Sequence, residues 1–168
     1  IWEVAVTADL PDGEATATAN FEVVAESDIP NIGDDAPRSD NLLPGDADAP
    51  VDAIDSRAEP DGTVPDPILH TETVAQAIAA GRPALVVVST PTYCVSRFCG
   101  PITDSVAEIA AETGDDVAFI HIEVWRDYEE TVLNQGAADW IWPNEEGEDI
   151  HEPWVFLVGT DGTVIERW

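Results

Sequence analysis

Two cysteines, Cys94 and Cys99, are the only thiols in the chain. They lie where the apolar, β-branched run of residues 84–89, typical of a buried strand, gives way to a helical pattern. The helix is predicted from an apolar face formed by Ile102, Val106, Ile109 and Ala110. A thiolate close to a helix N-terminus is stabilised by the unpaired backbone N–H groups and the helix dipole, which lower the pKa of the thiol. The pair therefore indicates redox or metal chemistry.

Four residues separate the two thiols, in the order Cys94-Val-Ser-Arg-Phe-Cys99. With about 3.6 residues per helical turn, thiols at this spacing do not meet on a regular helix, so a disulfide requires a non-helical segment. Because Pro favours the first helical turn, the helix is predicted to begin at Pro101, with residues 94–100 as a loop closed by the disulfide. The spacing from the strand favours Cys94 as the nucleophile, although Cys99 also lies beside the helix.

Residues 68–168 resemble the thioredoxin superfamily, through four features in order. The strand that ends in Tyr93-Cys94 is similar to the aromatic residue and cysteine that open the family motif, and Pro101 falls where family members carry a proline in this helix. The strand of residues 117–124 follows. The last feature is Glu152-Pro153, followed by a strand, an Asp161-Gly162 turn and a final strand, which is similar to the family's cis-Pro loop and terminal hairpin.

The resemblance implies an α/β fold with a thioredoxin-like central mixed sheet and flanking helices. It also implies a thiol-disulfide oxidoreductase that needs no cofactor and acts on a partner protein's thiol or disulfide. Cys94 would attack, Cys99 would resolve, and the loop at Pro153 would pair with the substrate backbone. The motif departs from the family's Cys-x-x-Cys by two residues, which leaves the identity of the nucleophile open.

Two other functions are compatible with the same residues. Cys94, Cys99 and His151 form a soft donor set that suits copper. The segment that begins at His151 is similar in spacing to that of Sco-type copper chaperones, whose ligand histidine precedes the strand and the Asp-Gly hairpin. Alternatively, the cysteines form a structural disulfide in a non-catalytic subunit of a larger surface assembly.

Other polar and aromatic residues are given structural interpretations. His121 and Glu123 share one side of their strand and are expected to form a partly buried polar pair at the end of the sheet. His70 is expected to precede a helix over residues 71–80, capped by Thr71 or Thr73, without a chemical role. The remaining aromatic residues favour core packing over a substrate groove: Trp125, Trp140, Trp142 and Trp154.

The composition is strongly acidic, with six basic and 35 acidic residues, a net charge of −29 and a pI near 4.1. Nucleic acid and anionic membranes would repel such a chain, so neither is expected as a partner. A secreted or cell-surface protein, or one from a high-salt organism, fits this charge because salt screens the self-repulsion. No apolar run approaches the roughly 20 residues of a membrane span. We therefore expect an extracytoplasmic protein.

Two further segments precede the thioredoxin-like region. Residues 1–26 predict a β-hairpin with a turn at Leu10-Pro-Asp-Gly13, similar to the last hairpin of an immunoglobulin-like β-sandwich. Because two strands are not stable alone in water, we expect its apolar face to pack against another chain or a preceding domain of a longer polypeptide. Residues 27–67 hold seven of the 13 prolines and read as a long, irregular, acidic linker. The scattered apolar residues of this segment also allow it to lie across the surface of the thioredoxin-like region.

Overall fold

The computed structural model describes residues 1–23, 27, 29–47, 49–142 and 152–168. Its centre is a mixed four-stranded sheet, formed by β3 (Ala84–Ser89), β4 (Ala118–Glu123), β7 (Trp154–Val158) and β8 (Val164–Arg167). The strands lie in the order β4-β3-β7-β8. β3 pairs in parallel with β4 and antiparallel with β7, and β8 pairs antiparallel with β7. The fold is thus a small mixed α/β fold.

The central position of β3 follows from its sequence. Val86, Val87 and Val88 are completely buried, as expected for a strand covered on both faces. Val86 and Val88 belong to the larger core cluster, whereas Val87 belongs to a second cluster with Leu69 and Phe119. Alternate side chains of one strand therefore contribute to the cores on opposite sides of the sheet.

In the part of the chain that the structure describes, three α-helices flank this sheet: α1 (Val74–Ala79), α2 (Cys99–Thr113) and α3 (Gln135–Ile141). α2 buries Cys99, Thr103, Val106 and Ala110, which recur every three or four residues. Ile109, predicted on the same face, is 48% exposed. That prediction was wrong because polar Thr103 occupies the inner stripe, where its hydroxyl lies 2.7 Å from the Ser89 hydroxyl.

α1 begins with a complete capping box. The Thr73 hydroxyl accepts from the Gln76 backbone N–H, and the Gln76 side chain accepts from the Thr73 N–H. We expect Thr73→Ala to lower the free energy of unfolding by about 1 kcal/mol, since one orphan N–H loses its partner. Urea unfolding measures this change, and Thr73→Ser, which keeps the hydroxyl, is the control. Equal losses of unfolding free energy in Thr73→Ala and Thr73→Ser would contradict the capping role of the hydroxyl.

The N-terminal segment forms the predicted hairpin from β1 (Trp2–Leu10) and β2 (Gly13–Phe21). The register pairs Trp2 with Phe21 and Val4 with Ala19. Every residue of both strands is exposed, including Trp2 at 63%. No described element of this chain covers the apolar face, so its packing against a second chain or domain stays a prediction.

The described residues of segment 27–67 have the largely irregular backbone expected of a linker, but much of this part packs on the α/β core. Asp35 forms a β-bridge with Thr163, and Asn41 accepts from the backbone N–H of Val74. The Ser39 hydroxyl accepts from the indole N–H of Trp140. A short 3-10 helix over Val51–Ala53 leads into buried residues 53–56. The segment therefore lies across the surface of the α/β core, which its scattered apolar residues allow.

A second short hairpin follows β4, formed by β5 (Trp125–Asp127) and β6 (Val132–Leu133). α3 comes directly after it and contributes Ala137 and Trp140 to the larger core cluster. After β4, the chain therefore forms a short hairpin and then a helix. Among the described residues, no helix is long and apolar enough to cross a membrane.

Candidate functional site

The two cysteines are joined by a disulfide, with an S–S distance of 2.09 Å. The predicted pairing is confirmed, and residues 94–98 are non-helical, as the spacing requires. The helix begins at Cys99, two residues before the predicted start at Pro101. Pro101 is tolerated as the third helical residue because N–H groups of the first turn have no intrahelical partner in any case.

The two sulfur-bearing residues differ in exposure. Cys99 is completely buried, whereas Cys94 is partly exposed in the turn after β3. The Thr103 hydroxyl donates to the Cys99 carbonyl at 2.9 Å and contacts the buried Ser89 hydroxyl, which ties the first turn of α2 to the end of β3. A partner molecule therefore reaches the sulfur of Cys94 more readily than that of Cys99.

A serine between the cysteines was not singled out by the sequence analysis. The Ser96 hydroxyl lies 3.2 Å from the Cys94 sulfur and 4.0 Å from the Cys99 sulfur. It also accepts from the Phe98 N–H at 3.3 Å. A hydroxyl in this position can donate to a thiolate on Cys94.

Glu152 is a further residue that the sequence analysis did not place at the site. A carboxylate oxygen of Glu152 and the two sulfurs all lie within 4.8 Å of one another, and Oε2 has no hydrogen-bond partner among the described residues. Burial, together with the charge of Glu123, raises the pKa of Glu152 from 4.5 to about 7. The following peptide bond, to Pro153, is cis. The sequence signal that could have placed Glu152 at the site was its position directly before Pro153, in the predicted cis-Pro loop.

The surface around the disulfide is aromatic and apolar. Tyr93 stacks on Tyr128 with ring centroids 4.2 Å apart. Val95 and Phe98, between the cysteines, are both exposed, and the Arg97 guanidinium lies 5.5 Å from the centre of the Phe98 ring. The exposed surface beside Cys94 in the chain is therefore partly apolar.

A second polar cluster lies inside the protein and was missed by the sequence analysis. Asp55 Oδ2 lies 3.4 Å from His70 Nε2 and 3.3 Å from His121 Nδ1, and all three side chains are fully buried. Arg57 binds the same carboxylate through Nε at 3.1 Å and Nη2 at 2.8 Å. His70 was expected only to precede α1, but its ring also contacts the Asp55 carboxylate. His121 was expected to be partly buried and is fully buried.

Burial and these contacts shift the pKa of Asp55, and that of His70, in opposite directions. Burial by itself would raise the pKa of Asp55, but contacts with His121, His70 and Arg57 outweigh it and hold the pKa well below its usual range. Burial lowers the pKa of His70 against the opposing effect of Asp55. Burial also raises the pKa of Glu123, which accepts from the Ser56 N–H at 2.9 Å.

The remaining candidate residues divide between the core and the undescribed part of the chain. Trp140 is buried against Phe156, and Trp125 and Trp154 pack on the same core cluster. This arrangement agrees with the core interpretation of these tryptophans. His151, the predicted copper ligand, lies outside the described residues.

Comparison with models of protein families, with curated proteins and with solved structures finds no match to this chain. The function must therefore be inferred from the two side-chain clusters themselves: the disulfide with Ser96 and Glu152, and the buried group around Asp55.

Proposed function

We propose that this chain is a thioredoxin-like, extracytoplasmic thiol-disulfide oxidoreductase that exchanges disulfides with partner proteins. The observation that carries the proposal is the disulfide between partly exposed Cys94 and buried Cys99 at the start of α2, beside the partly buried carboxyl group of Glu152. Such a site combines an accessible sulfur for attack, a protected sulfur for resolution and a nearby proton acceptor.

The order of elements supports the thioredoxin-like part of this proposal. A buried strand leads to Cys94, a helix and a parallel strand follow, and the cis bond before Pro153 precedes two antiparallel strands. These are the features, in the same order, on which the sequence resemblance rests. The disulfide and the acidic surface support an extracytoplasmic setting, where disulfides persist.

In the proposed first step, the reduced chain attacks a partner disulfide. The Cys94 thiolate forms a bond to one partner sulfur, and the partner S–S bond breaks to release the other sulfur as a thiolate. The helix N-terminus and the Ser96 hydroxyl stabilise the attacking thiolate. The product of this step is a mixed disulfide between Cys94 and the partner.

In the second step, Cys99 resolves the mixed disulfide. Glu152 takes the Cys99 thiol proton, the resulting thiolate attacks the Cys94 sulfur, and the partner leaves as its second thiolate. The partner gains two electrons and, after protonation, two thiols, while this chain regains the Cys94–Cys99 disulfide. The position of Glu152 beside both sulfurs, with one oxygen unpaired among the described residues, supports this role.

Reduction of insulin by dithiothreitol tests the proposal directly. The wild-type chain should accelerate the precipitation of insulin B chains, and the Cys94→Ser/Cys99→Ser variant should not. A wild-type rate equal to that of dithiothreitol alone would contradict the proposal and favour a structural disulfide in a non-catalytic subunit.

The proton-transfer role of Glu152 predicts a distinct pH profile. A carboxyl group whose pKa is raised to about 7 is protonated below that pH and accepts a proton only above it. The resolution rate of a mixed disulfide should therefore rise through about pH 7 in the wild type. Glu152→Gln should lose this inflection and resolve about 100-fold more slowly at pH 8.

Stopped-flow kinetics of a preformed mixed disulfide measure the resolution rate. Glu129→Gln, which removes an exposed glutamate, is the matched control and should keep the wild-type profile. An unchanged inflection in Glu152→Gln would exclude this carboxyl group as the proton acceptor.

Copper binding by the reduced chain is the second candidate function. It is favoured by the short distance between the sulfurs of Cys94 and Cys99, which after reduction are soft thiolate ligands for Cu(I), with the predicted His151 as the third ligand. Anaerobic titration of the reduced protein with Cu(I) tests it. Binding of one Cu(I) that is weakened in His151→Ala would support the ligand set of Cys94, Cys99 and His151, whereas absence of stoichiometric binding would exclude copper.

A further inference from the structure

The buried cluster of Asp55, His70 and His121 has the composition of a metal site separate from the disulfide. Three ligand atoms, one from each residue, lie within 4.8 Å of one another. They come from the packed segment 27–67, from the 3-10 helix Pro67–His70 and from β4. We propose that these three side chains bind one divalent transition-metal ion, with Zn²⁺ as the best fit.

The hydrogen bonding of His121 fixes which ring nitrogen faces the cluster as a ligand. His121 Nε2 lies 3.1 Å from the Ser89 carbonyl oxygen, which can only accept, so Nε2 carries the proton. In the neutral ring, Nδ1 therefore carries a lone pair and lies 3.3 Å from the Asp55 carboxylate oxygen. Two acceptors at this distance repel each other unless a proton or a metal ion lies between them.

The histidine contacts with Asp55 are close, yet they do not satisfy the rings. His121 Nδ1 and both ring nitrogens of His70 have no hydrogen-bond partner among the described residues. Buried side-chain nitrogens without partners are uncommon and require an explanation, such as an ion. A metal ion bound by His70 Nε2 and His121 Nδ1 would satisfy one nitrogen of each ring.

The two distances from the Asp55 oxygen to the histidine nitrogens fit a small metal ion. Zn²⁺ lies about 2.0–2.2 Å from nitrogen and oxygen ligands. Ligand atoms separated by 3.3 and 3.4 Å then subtend an angle of about 105° at the ion, close to tetrahedral. Two imidazoles and one carboxylate are a common ligand set for this ion and leave a fourth position for water.

The surrounding hydrogen bonds match those that usually orient metal ligands. The N–H of His121 that faces away from the cluster donates to a backbone carbonyl, which is the usual arrangement for a ligating histidine. Arg57 donates to both Asp55 oxygens and holds the carboxylate in place. Each carboxylate oxygen has two lone pairs, so Oδ2 can accept from Arg57 and still bind a metal ion.

The ion would hold the packed segment 27–67 against the sheet. Asp55 is in that segment, and the Ser89 carbonyl that orients His121 ends the strand leading to Cys94. The site therefore predicts that metal binding raises the thermal stability of the chain without involving the sulfurs.

Metal binding by the oxidised chain tests the proposal, because its disulfide offers no thiolate. After chelator treatment, Zn²⁺ and the spectroscopic probe Co²⁺ are titrated in the presence of excess Mg²⁺, which occupies weak surface carboxylate sites. One Zn²⁺ per chain, a rise in melting temperature and tetrahedral Co²⁺ d–d bands are expected. Absence of stoichiometric binding, or octahedral Co²⁺ spectra alone, would overturn the proposal.

Variants locate the ion. His70→Gln should weaken Zn²⁺ binding by at least about 100-fold, whereas His151→Ala, which removes the third histidine of the chain, and Cys94→Ser/Cys99→Ser should bind as the wild type does. Loss of binding in either control, or wild-type affinity in His70→Gln, would overturn the proposal. If His70→Gln does not fold, the Co²⁺ spectrum of the wild type and the two controls decide the location.

Discussion

Replacing Cys94 with Ser should reduce disulfide exchange with a protein substrate to the uncatalysed background. Cys94 is the more accessible of the two sulfur-bearing residues, and the serine hydroxyl is not a nucleophile at neutral pH without an activating base. Turnover of insulin or of a fluorescent disulfide substrate measures the loss. This is the largest effect on activity that the site predicts.

Cys99→Ser provides the matched comparison. This variant keeps the thiol proposed to attack but lacks the buried thiol proposed to resolve, so it should accumulate a mixed disulfide with its substrate. Mass spectrometry detects the covalent adduct. The opposite result, in which Cys94→Ser traps the partner and Cys99→Ser does not, would show that Cys99 is the nucleophile.

The largest effect on stability is expected for Asp55→Asn. The carboxylate is fully buried and contacts two buried histidines and Arg57, so the neutral amide would leave Arg57 without its closest buried anion. Breaking a buried ion pair by removing one partner costs about 3–5 kcal/mol. Urea unfolding of chelator-treated protein measures this loss without any contribution from a metal ion.

Asp104→Asn is the control for this substitution. Asp104 also binds Arg57, at 2.7 Å, but its side chain is 63% exposed. An exposed ion pair contributes less than about 1 kcal/mol, so this variant should unfold nearly as the wild type does. Similar losses of unfolding free energy in both variants would show that burial of Asp55 does not determine how much its ion pair with Arg57 stabilises the protein.

The local elements of the α/β core could be predicted because their patterns are set by near neighbours in the sequence. The run of β-branched residues at 84–89 indicated a buried strand, and the structure has β3 over the same residues. Thr73 was one of two predicted caps for α1 and is the residue that caps it. The presence of only two cysteines made their pairing the simplest expectation, which is confirmed.

The start of α2 illustrates a limit of local reasoning. Proline favours the first helical turn, but this preference does not fix which residue of the turn it occupies. Contacts of Thr103 with Ser89 and with the Cys99 carbonyl place the first turn at Cys99. Likewise, the sequence pattern alone did not show that Ile109 would lie outside the buried stripe of α2.

The sequence by itself determined the positions of the thiols, the strand and helix around them, and the acidic character of the surface. The tertiary structure alone placed Glu152 beside the sulfurs, 53 residues after Cys99 in the chain. It alone also brought Asp55 to His70 and His121, from a segment whose composition indicated a linker. Such clusters depend on contacts between residues far apart in sequence, and the packing of the described part of segment 27–67 and of Glu152 before β7 creates those contacts.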